Sequence, residues 1–392
     1  MDNLTHSLVG LVASKAGLEK LSPGATILCV LAANVPDSDI VTLIGGRWNY
    51  LHHHRGITHS IIGAIVLGLT LPVIFYFADR LIARIRARQP AVRLKGLVIA
   101  SLLVTATHPF MDWTNNYGIR PFLPSSSQWF YGDFIFVVDP FLWMILGGAC
   151  FLLTSKSKLQ LGIWLSLALL LTYLVITVPG QRGLDQPTVL RTIWIIVLIG
   201  LVVSFKLGAA RRWGSRIALG ALVVVAAYWA SLASLHWFAI NEATIEARAI
   251  VSQYGESITD IAAMATLANP FQWSCVVETE STAYRFELSL ARKHSALSQL
   301  VRHERADTAD SPAVEQALQD ENARIFLDFA RFPVARVVGA DCMTQTLVQL
   351  ADLRYTQPGS GRGSFSLDVP VDCPTQGTAH SSPSQPSRFQ RR

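Results

Sequence analysis

The chain has 392 residues, of which 51% are hydrophobic and only 15% are charged, and its mean hydropathy is +0.36. This composition lies far on the apolar side of ordinary soluble domains, so lipid should be the solvent for much of the chain. The net charge is +6, but the basic residues sit in short connections between apolar blocks, where they act as orientation signals. We therefore discount nucleic acid as a partner.

The apolar residues are gathered into blocks of the length that a membrane helix needs. A helix rises 1.5 Å per residue, so about 20 residues cross about 30 Å of hydrocarbon. Six blocks predict a mainly α-helical, polytopic membrane bundle, and they are Ser60–Ala78, Gly96–Asp112, Phe134–Leu153, Leu159–Val178, Arg191–Phe205 and Arg216–Ile240.

Two shorter apolar stretches, Leu4–Ala16 and Pro23–Val35, precede the first block and are separated by a turn. Each would span only about 20 Å as a helix, so a helical hairpin dipping into the bilayer fits better than two full crossings. A hairpin returns the chain to the side on which it began. Met1–Gly10 has no basic start and no cleavage site after it, so we expect no cleavable signal peptide.

Basic residues predict which side of the membrane each connection faces. Arg80–Lys95 carries six positive charges opposed only by Asp79, so this connection should be cytoplasmic. Alternation then puts the basic connections Lys156–Lys158 and Lys206–Arg216 on the same side. The outer face should carry Tyr50–His59, Trp113–Asp133 and everything after Ile240.

After residue 240 the composition becomes that of a soluble α+β domain. We divide the chain into a membrane domain over 1–240, an extracytoplasmic domain over 241–370 and a polar, disordered tail over 371–392. Cys275, Cys342 and Cys373 could supply one disulfide if this region is extracytoplasmic. The predicted elements are a hairpin of Gln272–Glu280 and Tyr284–Leu288, a helix over Ser311–Phe329, and strands at Thr346–Tyr355 and Gly363–Val369.

Six of the ten histidines lie in the first third of the chain, with carboxylates at the ends of apolar segments. Ionisable residues are costly there, which favours a functional role, and imidazole with carboxylate is a ligand set typical of zinc and related divalent ions. His108 and Asp112 are spaced i, i+4 and share one face of a helix end. His54 and His59 can meet one ion only if the chain turns at Gly56. The predicted metal ligands, all within residues 1–120, are His6, Asp37, His54, His59, His108 and Asp112.

Neighbouring polar residues have plainer interpretations. His52 and His53 are more simply membrane-interface anchors than ligands. Asn115 is first of all a turn former. Asp139, directly before Pro140, is either a late ligand or a residue that breaks a helix.

At these positions the sequence resembles a known family. Met1–Ser7, Asn34–Asp39, His54–Ser60 and His108–Asp112 follow one another as in the bacterial and archaeal membrane-bound, metal-dependent hydrolases of the YdjM type. The resemblance implies a divalent metal ion, a hydrolase without an assigned substrate, and a multi-pass protein of the bacterial inner membrane. More distantly, the His-x-x-x-Asp pair of His108 and Asp112, together with the early histidine and aspartate, is similar to the zinc-dependent phospholipase C and P1 nuclease group, which implies phosphoester cleavage.

The resulting hypothesis is hydrolysis of a phosphoester at the outer membrane surface. One or more divalent ions, with zinc favoured, would activate water. Asp39, if it is not itself a ligand, is the candidate general base, and Arg55 would pair with a phosphate oxygen. A site at headgroup depth favours a lipid or lipid-linked substrate in the bilayer. Two alternatives stay open: a metal-binding or sensor protein whose outer domain recognises a partner, and a transporter. The oligomeric state stays undetermined.

Overall fold

The computed structural model describes residues 1–181, 187–291, 300–309, 311–338, 345–359 and 365–372. Most of the membrane part is helical, and short 3-10 segments at Leu18–Lys20, Val35–Gly45 and Ile57–His59 connect its first helices. The helices are α1 Asn3–Ala16, α2 Ala25–Ala32, α3 Arg47–His53, α4 Ile61–Ile85, α5 Leu94–Trp113, α6 Pro140–Thr154, α7 Lys158–Gln181, α8 Pro187–Lys206, α9 Ala209–Trp213, α10 Ser215–Ser252, α11 Pro312–Ala317 and α12 Glu321–Phe329.

Five described helices, α4, α5, α7, α8 and α10, are long and apolar enough to cross a membrane. A further apolar pair, α2 and the segment Val35–Gly45, is bent by 49° at its break. Large apolar side chains on α4 and α7 are exposed in rows, which would be a liability in water but matches a bilayer. The polytopic helical bundle predicted from the apolar blocks is therefore present.

The first two helices form the predicted hairpin at the centre of the membrane domain. Asp2 caps α1 by accepting a hydrogen bond from the backbone N–H of Thr5, as acidic residues at helix starts commonly do. The hairpin is tight, because a Cβ added at Gly10 would lie 2.5 Å from the carbonyl oxygen of Cys29. This close packing fixes where the first turn of α1 presents His6.

The third predicted span is shorter than the apolar block that suggested it. Helix α6 begins at Pro140 and not at Phe134, and it has fewer than 18 residues. Asp139 sets this start, because its Oδ1 accepts hydrogen bonds from the N–H groups of Phe141, at 2.7 Å, and Leu142. The N–H of Phe134 instead donates to the carbonyl of Thr114. Asp139 is therefore a helix cap, which is closer to the predicted helix-breaking role than to that of a metal ligand.

The C-terminal region contains two antiparallel sheets. One has the strand order β1 Asp260–Thr266, β2 Asn269–Glu278, β3 Thr282–Ser289 and β4 Val301–Glu304, and the other has β5 Pro333–Val338, β6 Gln345–Asp352 and β7 Ser366–Asp372. The hairpin of β2 and β3 was predicted, as were strands near β6 and β7. The sequence analysis missed β1, β4 and β5.

Two further predictions for this region have mixed outcomes. The helix predicted over Ser311–Phe329 is divided in two, because the side chain of Asp320 accepts hydrogen bonds from Asn322 and Ala323 and starts a new helix. Cys275 is a free, buried thiol in β2. Cys342, Cys373 and the predicted disordered tail beyond Asp372 lie outside the described residues.

Helix α10 joins the two parts of the molecule without a break. It has 38 residues, or about 57 Å at 1.5 Å per residue, which exceeds the roughly 30 Å of a hydrocarbon core. Its last turns pack Ala243, Ala247 and Ile250 against Trp273 and Phe286 of the first sheet. The membrane helix therefore also forms part of the core of the C-terminal domain.

A buried ion pair and a hydrogen bond from a second buried arginine attach the C-terminal domain to the loop between α5 and α6. Arg331 pairs with Asp133 of that loop at 2.7 Å. Arg354 pairs with Asp352 at 2.7 Å with both side chains fully buried, and it donates hydrogen bonds to the carbonyls of Asn116, at 2.8 Å, and Phe329. The domain therefore lies on the same face of the bundle as this loop.

Replacing Arg354 with methionine should loosen this attachment. The substitution leaves Asp352 buried without its cation, which costs on the order of 3–5 kcal/mol, so the melting temperature of the purified protein should fall and trypsin should release the C-terminal domain faster. Arg324→Ala is the matched control, because this exposed guanidinium donates a hydrogen bond only to the side chain of Gln319 among the described residues. Its loss should change the free energy of unfolding by about 0.5 kcal/mol or less. Equal melting temperatures for R354M and R324A would contradict the assignment.

Candidate metal centre

Four chain segments that are distant in sequence meet at one end of the membrane bundle. They are the first turn of α1, the 3-10 segment after α2, the turn before α4 and the last turn of α5. Contacts of 3.7 Å or less link all the residues predicted for the site, which are His6, Asp37, Asp39, His54, Arg55, His59, His108 and Asp112. His52 and His53, the two predicted anchors, are exposed and lie outside this cluster.

Four of these residues direct one donor atom each toward a common point. Nε2 of His59 lies 3.2 Å from Oδ1 of Asp37 and 3.3 Å from Oδ2 of Asp112. Nε2 of His108 lies 3.4 Å from each of the same two oxygens. The two Nε2 atoms are 3.1 Å apart. The remaining distance, between the two carboxylate oxygens, is at most 4.8 Å.

These spacings fit a tetrahedral metal ion. Five of the six donor–donor distances are 3.1–3.4 Å, and the sixth is at most 4.8 Å. A point equidistant from the four donors therefore lies about 2.0–2.4 Å from each, close to the distance of about 2.0–2.2 Å from zinc to imidazole nitrogen or carboxylate oxygen. The donor set of two imidazoles and two carboxylates suits zinc and other divalent transition ions. The residues present therefore fit a divalent ion.

The hydrogen bonds behind the imidazoles point to the same conclusion. Nδ1 of His108 lies 2.6 Å from the carbonyl oxygen of Ala33, which only accepts, so Nδ1 carries the proton. Nδ1 of His59 lies 3.1 Å from the hydroxyl of Thr58 and 3.4 Å from a carboxylate oxygen of Asp39. In neutral rings with these tautomers, both Nε2 lone pairs face the cluster. The lone pairs of the two Nε2 atoms, which are 3.1 Å apart, would repel each other and the two neighbouring carboxylates. A cation or an added proton is therefore required among these four groups.

His6 adds an unpaired imidazole to the edge of the cluster. Its ring stacks on that of His108 with centroids 3.7 Å apart, and its Nε2 lies 3.4 Å from Oδ1 of Asp112. It is buried, and neither ring nitrogen has a hydrogen-bond partner among the described residues. Buried polar atoms normally have a hydrogen-bond partner. An ion or a water molecule bound to His6 is therefore the simplest explanation for its two unpaired ring nitrogens.

A second group of possible ligands adjoins the first. It consists of Asp37, Asp39 and His54, so Asp37 belongs to both groups. Nδ1 of His54 lies 3.2 Å from each carboxylate oxygen of Asp39. Burial lowers the pKa of the His54 imidazole, which keeps the ring in the neutral form that binds metals. Asp37 and His54 are also the accessible members of the cluster, with side chains 16% and 14% exposed.

Arg55 is held by the protein around it. Its Nη2 donates to Oδ1 of Asp112 at 3.0 Å, and its Nη1 donates to the side chain of Asn115 and to the carbonyl of Gly118. The guanidinium also lies 4.5 Å from the centre of the Tyr117 ring. Only its Nε has no hydrogen-bond partner among the described residues. The contacts show that Arg55 orients Asp112, and its predicted pairing with phosphate stays a prediction.

The backbone at Arg55 is itself unusual. Its φ of 52° lies in the left-handed region, which costs a non-glycine residue energy and recurs at functional sites. The N–H of Arg55 donates to Oδ2 of Asp39 at 3.0 Å, and the side chain is anchored to Asp112. This turn brings His54 and His59 to the same cluster, as their spacing across Gly56 required.

Sequence reasoning missed several supporting groups. Asn115, interpreted as a turn former, also receives a hydrogen bond from Arg55. Tyr117 contacts Arg55 on one side and Phe329 of the C-terminal domain, at 4.7 Å between ring centres, on the other. The α-amino group of Met1 also contacts Asp112. Only the position of Asn115 and Tyr117, just after the helix whose last turn carries Asp112, indicated these roles in the sequence.

Comparisons with known proteins agree with the membrane assignment. The family model described as YdjM inner membrane protein matches residues 1–184, a range that contains every residue of the candidate centre. The uncharacterized protein YfhP of Bacillus subtilis (strain 168) is 28% identical over an alignment of 154 residues, which covers 37% of this chain and 43% of that protein. The chain thus spans less than half the length of this curated relative. No solved structure matches.

The family match supports the predicted resemblance, and together with the five apolar helices it supports a multi-pass inner membrane protein. The side of the membrane on which the centre lies stays a prediction. So does the more distant similarity to phospholipase C and P1 nuclease, to which the comparisons add nothing.

Metal content should depend on the clustered donors. When the proteins are purified in detergent with zinc supplied and then dialysed, His108→Ala and Asp112→Asn should retain about tenfold less metal than the wild type. Each substitution removes or weakens one donor, and the remaining donors hold an ion poorly. His53→Ala changes an exposed imidazole near the cluster and should retain the wild-type amount. Elemental analysis by plasma mass spectrometry gives the ratio of metal to protein. Equal metal contents in all four proteins would remove the ligand assignment.

Proposed function

We propose that this protein is a membrane-bound, metal-dependent hydrolase that cleaves a phosphoester of a lipid or lipid-linked substrate at the outer face of the inner membrane. The single observation that carries the proposal is the pair of facing Nε2 atoms of His59 and His108 between the carboxylates of Asp37 and Asp112. Such a set of donors at a membrane surface is suited to hold an ion that also meets a substrate.

Each residue has a task that follows from its contacts. When bound, a divalent ion would supply Lewis acidity and bring the pKa of water toward about 7. Thr58 and Asp39 hold the His59 ring, and the carbonyl of Ala33 holds the His108 ring, so that their Nε2 atoms serve as donors. Arg55 fixes and partly neutralises Asp112.

Asp39 is the residue we assign as general base. Next to the two accessible members of the cluster, His54 and Asp37, its buried carboxylate contacts His54 and belongs to the second group of possible ligands. From there it would take the proton of the attacking water. Because it also accepts a hydrogen bond from the backbone of Arg55, it is held in place for that transfer.

The location supports a lipid-linked substrate. The centre is formed at the start of α4 and the end of α5, which are two of the apolar helices, so it should lie near the headgroups and not in bulk water. The basic connection Arg80–Lys95 follows α4 at its opposite end, and the positive-inside tendency of such connections supports an outer-face position for the centre.

One observation favours a second candidate function, a metal-binding or sensor protein in which the ion is structural. Both Nη atoms of Arg55 are engaged by protein acceptors, which leaves little of the guanidinium for a substrate. Tyr117 also links the site to the C-terminal domain, as a sensor that reports metal binding to an outer domain would require.

Hydrolysis and metal binding should separate in Asp39→Asn. The variant keeps the four converging donors, so with saturating zinc it should carry that ion like the wild type. It lacks the base, so it should cleave about 100-fold more slowly or worse. Rates on phosphomonoesters and phosphodiesters of glycerolipids in mixed micelles give the comparison. His53→Ala again serves as the control and should retain wild-type rates. A wild-type protein that holds metal yet cleaves none of these esters would favour the structural-metal function instead.

A further inference from the structure

An apolar cavity of about 320 Å³ lies between the start of α4, the end of α5 and the loop that follows. This volume is within the range of roughly 300–1,000 Å³ that small-molecule sites occupy. Among its lining residues, one titratable side chain, that of His59, belongs to the candidate metal centre. The residues that shape it are His59, Ile61, Phe110, Trp113, Phe122 and Phe130.

The cavity is formed by fixed contacts. The N–H of Ile61 donates to the carbonyl of Pro121 at 3.0 Å, which ties the loop to the first turn of α4. Ile119 and Phe130 form a two-residue antiparallel bridge across the loop. The rings of Phe122 and Phe130 meet edge to face at 5.3 Å. The loop therefore makes a built wall of the cavity.

The rim of the cavity faces lipid. Ile61, Phe110 and Phe122 are 53%, 51% and 48% exposed, although they are large and apolar. The exposed apolar face of α4 continues past Ile61 through Ile65, and that of α5 past Phe110 through Leu103. Since both helices qualify as membrane spans, the surrounding solvent at this rim is the bilayer.

The chemistry of the lining selects the occupant. A peptide or a sugar would place amides or hydroxyls against walls that offer almost no hydrogen-bond partner, at a cost of several kcal/mol for each buried polar group. A hydrocarbon chain has no such groups and gains from leaving contact with water. We propose that this cavity binds a hydrocarbon chain of a membrane lipid, and that the chain thereby delivers the ester group of that lipid past His59 to the metal centre.

The delivery step rests on the proposed hydrolase function, whereas the binding of the chain does not. The test of binding uses nanodiscs of phosphatidylcholine that contain a phosphatidic acid with a photoactivatable diazirine near the end of one acyl chain. In the wild-type protein the crosslinks should concentrate on Phe110, Trp113 and Phe122, as read by peptide mass spectrometry. Label spread evenly along the lipid-facing sides of α4 and α5 would overturn the proposal.

A substitution that fills the cavity gives a second measurement. Ala106 lines the cavity on α5, and Ala106→Trp should reduce the crosslinks there about tenfold, which is the effect of losing the burial of about two methylene groups. Ile99→Trp adds the same ring two turns earlier on the same helix, outside the cavity lining, and should crosslink like the wild type. Equal labelling of A106W and I99W would contradict the proposal.

Hydrolysis rates then separate the two proposals. The ratio of the rate on phosphatidic acid to the rate on the water-soluble bis(p-nitrophenyl) phosphate should fall about tenfold in A106W, by the same argument, and stay unchanged in I99W. If the wild type cleaves neither ester, the hydrolase function fails while the crosslinks still decide chain binding. If the wild type cleaves both and the ratio is the same in all three proteins, delivery by the cavity is wrong.

Discussion

The membrane domain depends on one electrostatic constraint. The candidate centre brings together two imidazole nitrogens, whose lone pairs face one another, and two carboxylates. These groups are largely buried, so most water is excluded from the space between them. Like charges and lone pairs repel strongly where the effective dielectric constant is low, so the cluster persists only with compensating cations. Arg55 is one such cation, and a divalent ion among the four donors would be another. The N-terminal hairpin, the helices α4 and α5 and the connections between them each supply residues to this cluster. The fold and the candidate centre therefore stabilise each other.

The sequence carries enough information to assemble this cluster because the membrane restricts where ionisable groups can lie. His108 and Asp112 had to share a helix face by their spacing, and the closely packed hairpin returns the chain so that His6 and Asp37 meet them. Each of these residues lies at the end of an apolar segment. Ionisable groups are costly inside the hydrocarbon, so the ends of such segments are confined to the two faces of the membrane. Convergence was therefore predictable, while the roles of the residues in binding metal stay predictions.

Features that depend on single local contacts were harder to predict. Hydropathy alone extended the third span back to Phe134, although Asp139 followed by Pro140 is a recognisable helix start. In the same way the cap at Asp320 divides a segment that looks like one helix. The loop partners of Arg55, the side chain of Asn115 and the carbonyl of Gly118, could not be predicted, because the path of this loop depends on its packing against the C-terminal domain. Short strands such as β4 lack a pattern long enough to recognise.

The unbroken helix α10 has a mechanical consequence. A flexible linker would let the C-terminal domain move freely over the membrane surface. A continuous helix of 38 residues whose last turns pack against the first sheet instead moves together with that domain. Bilayer thickness influences the tilt of such a rod, and any change of tilt displaces the sheets most at the far end. A change in lipid composition would thereby shift the contact between Phe329 of the C-terminal domain and Tyr117 beside the candidate centre.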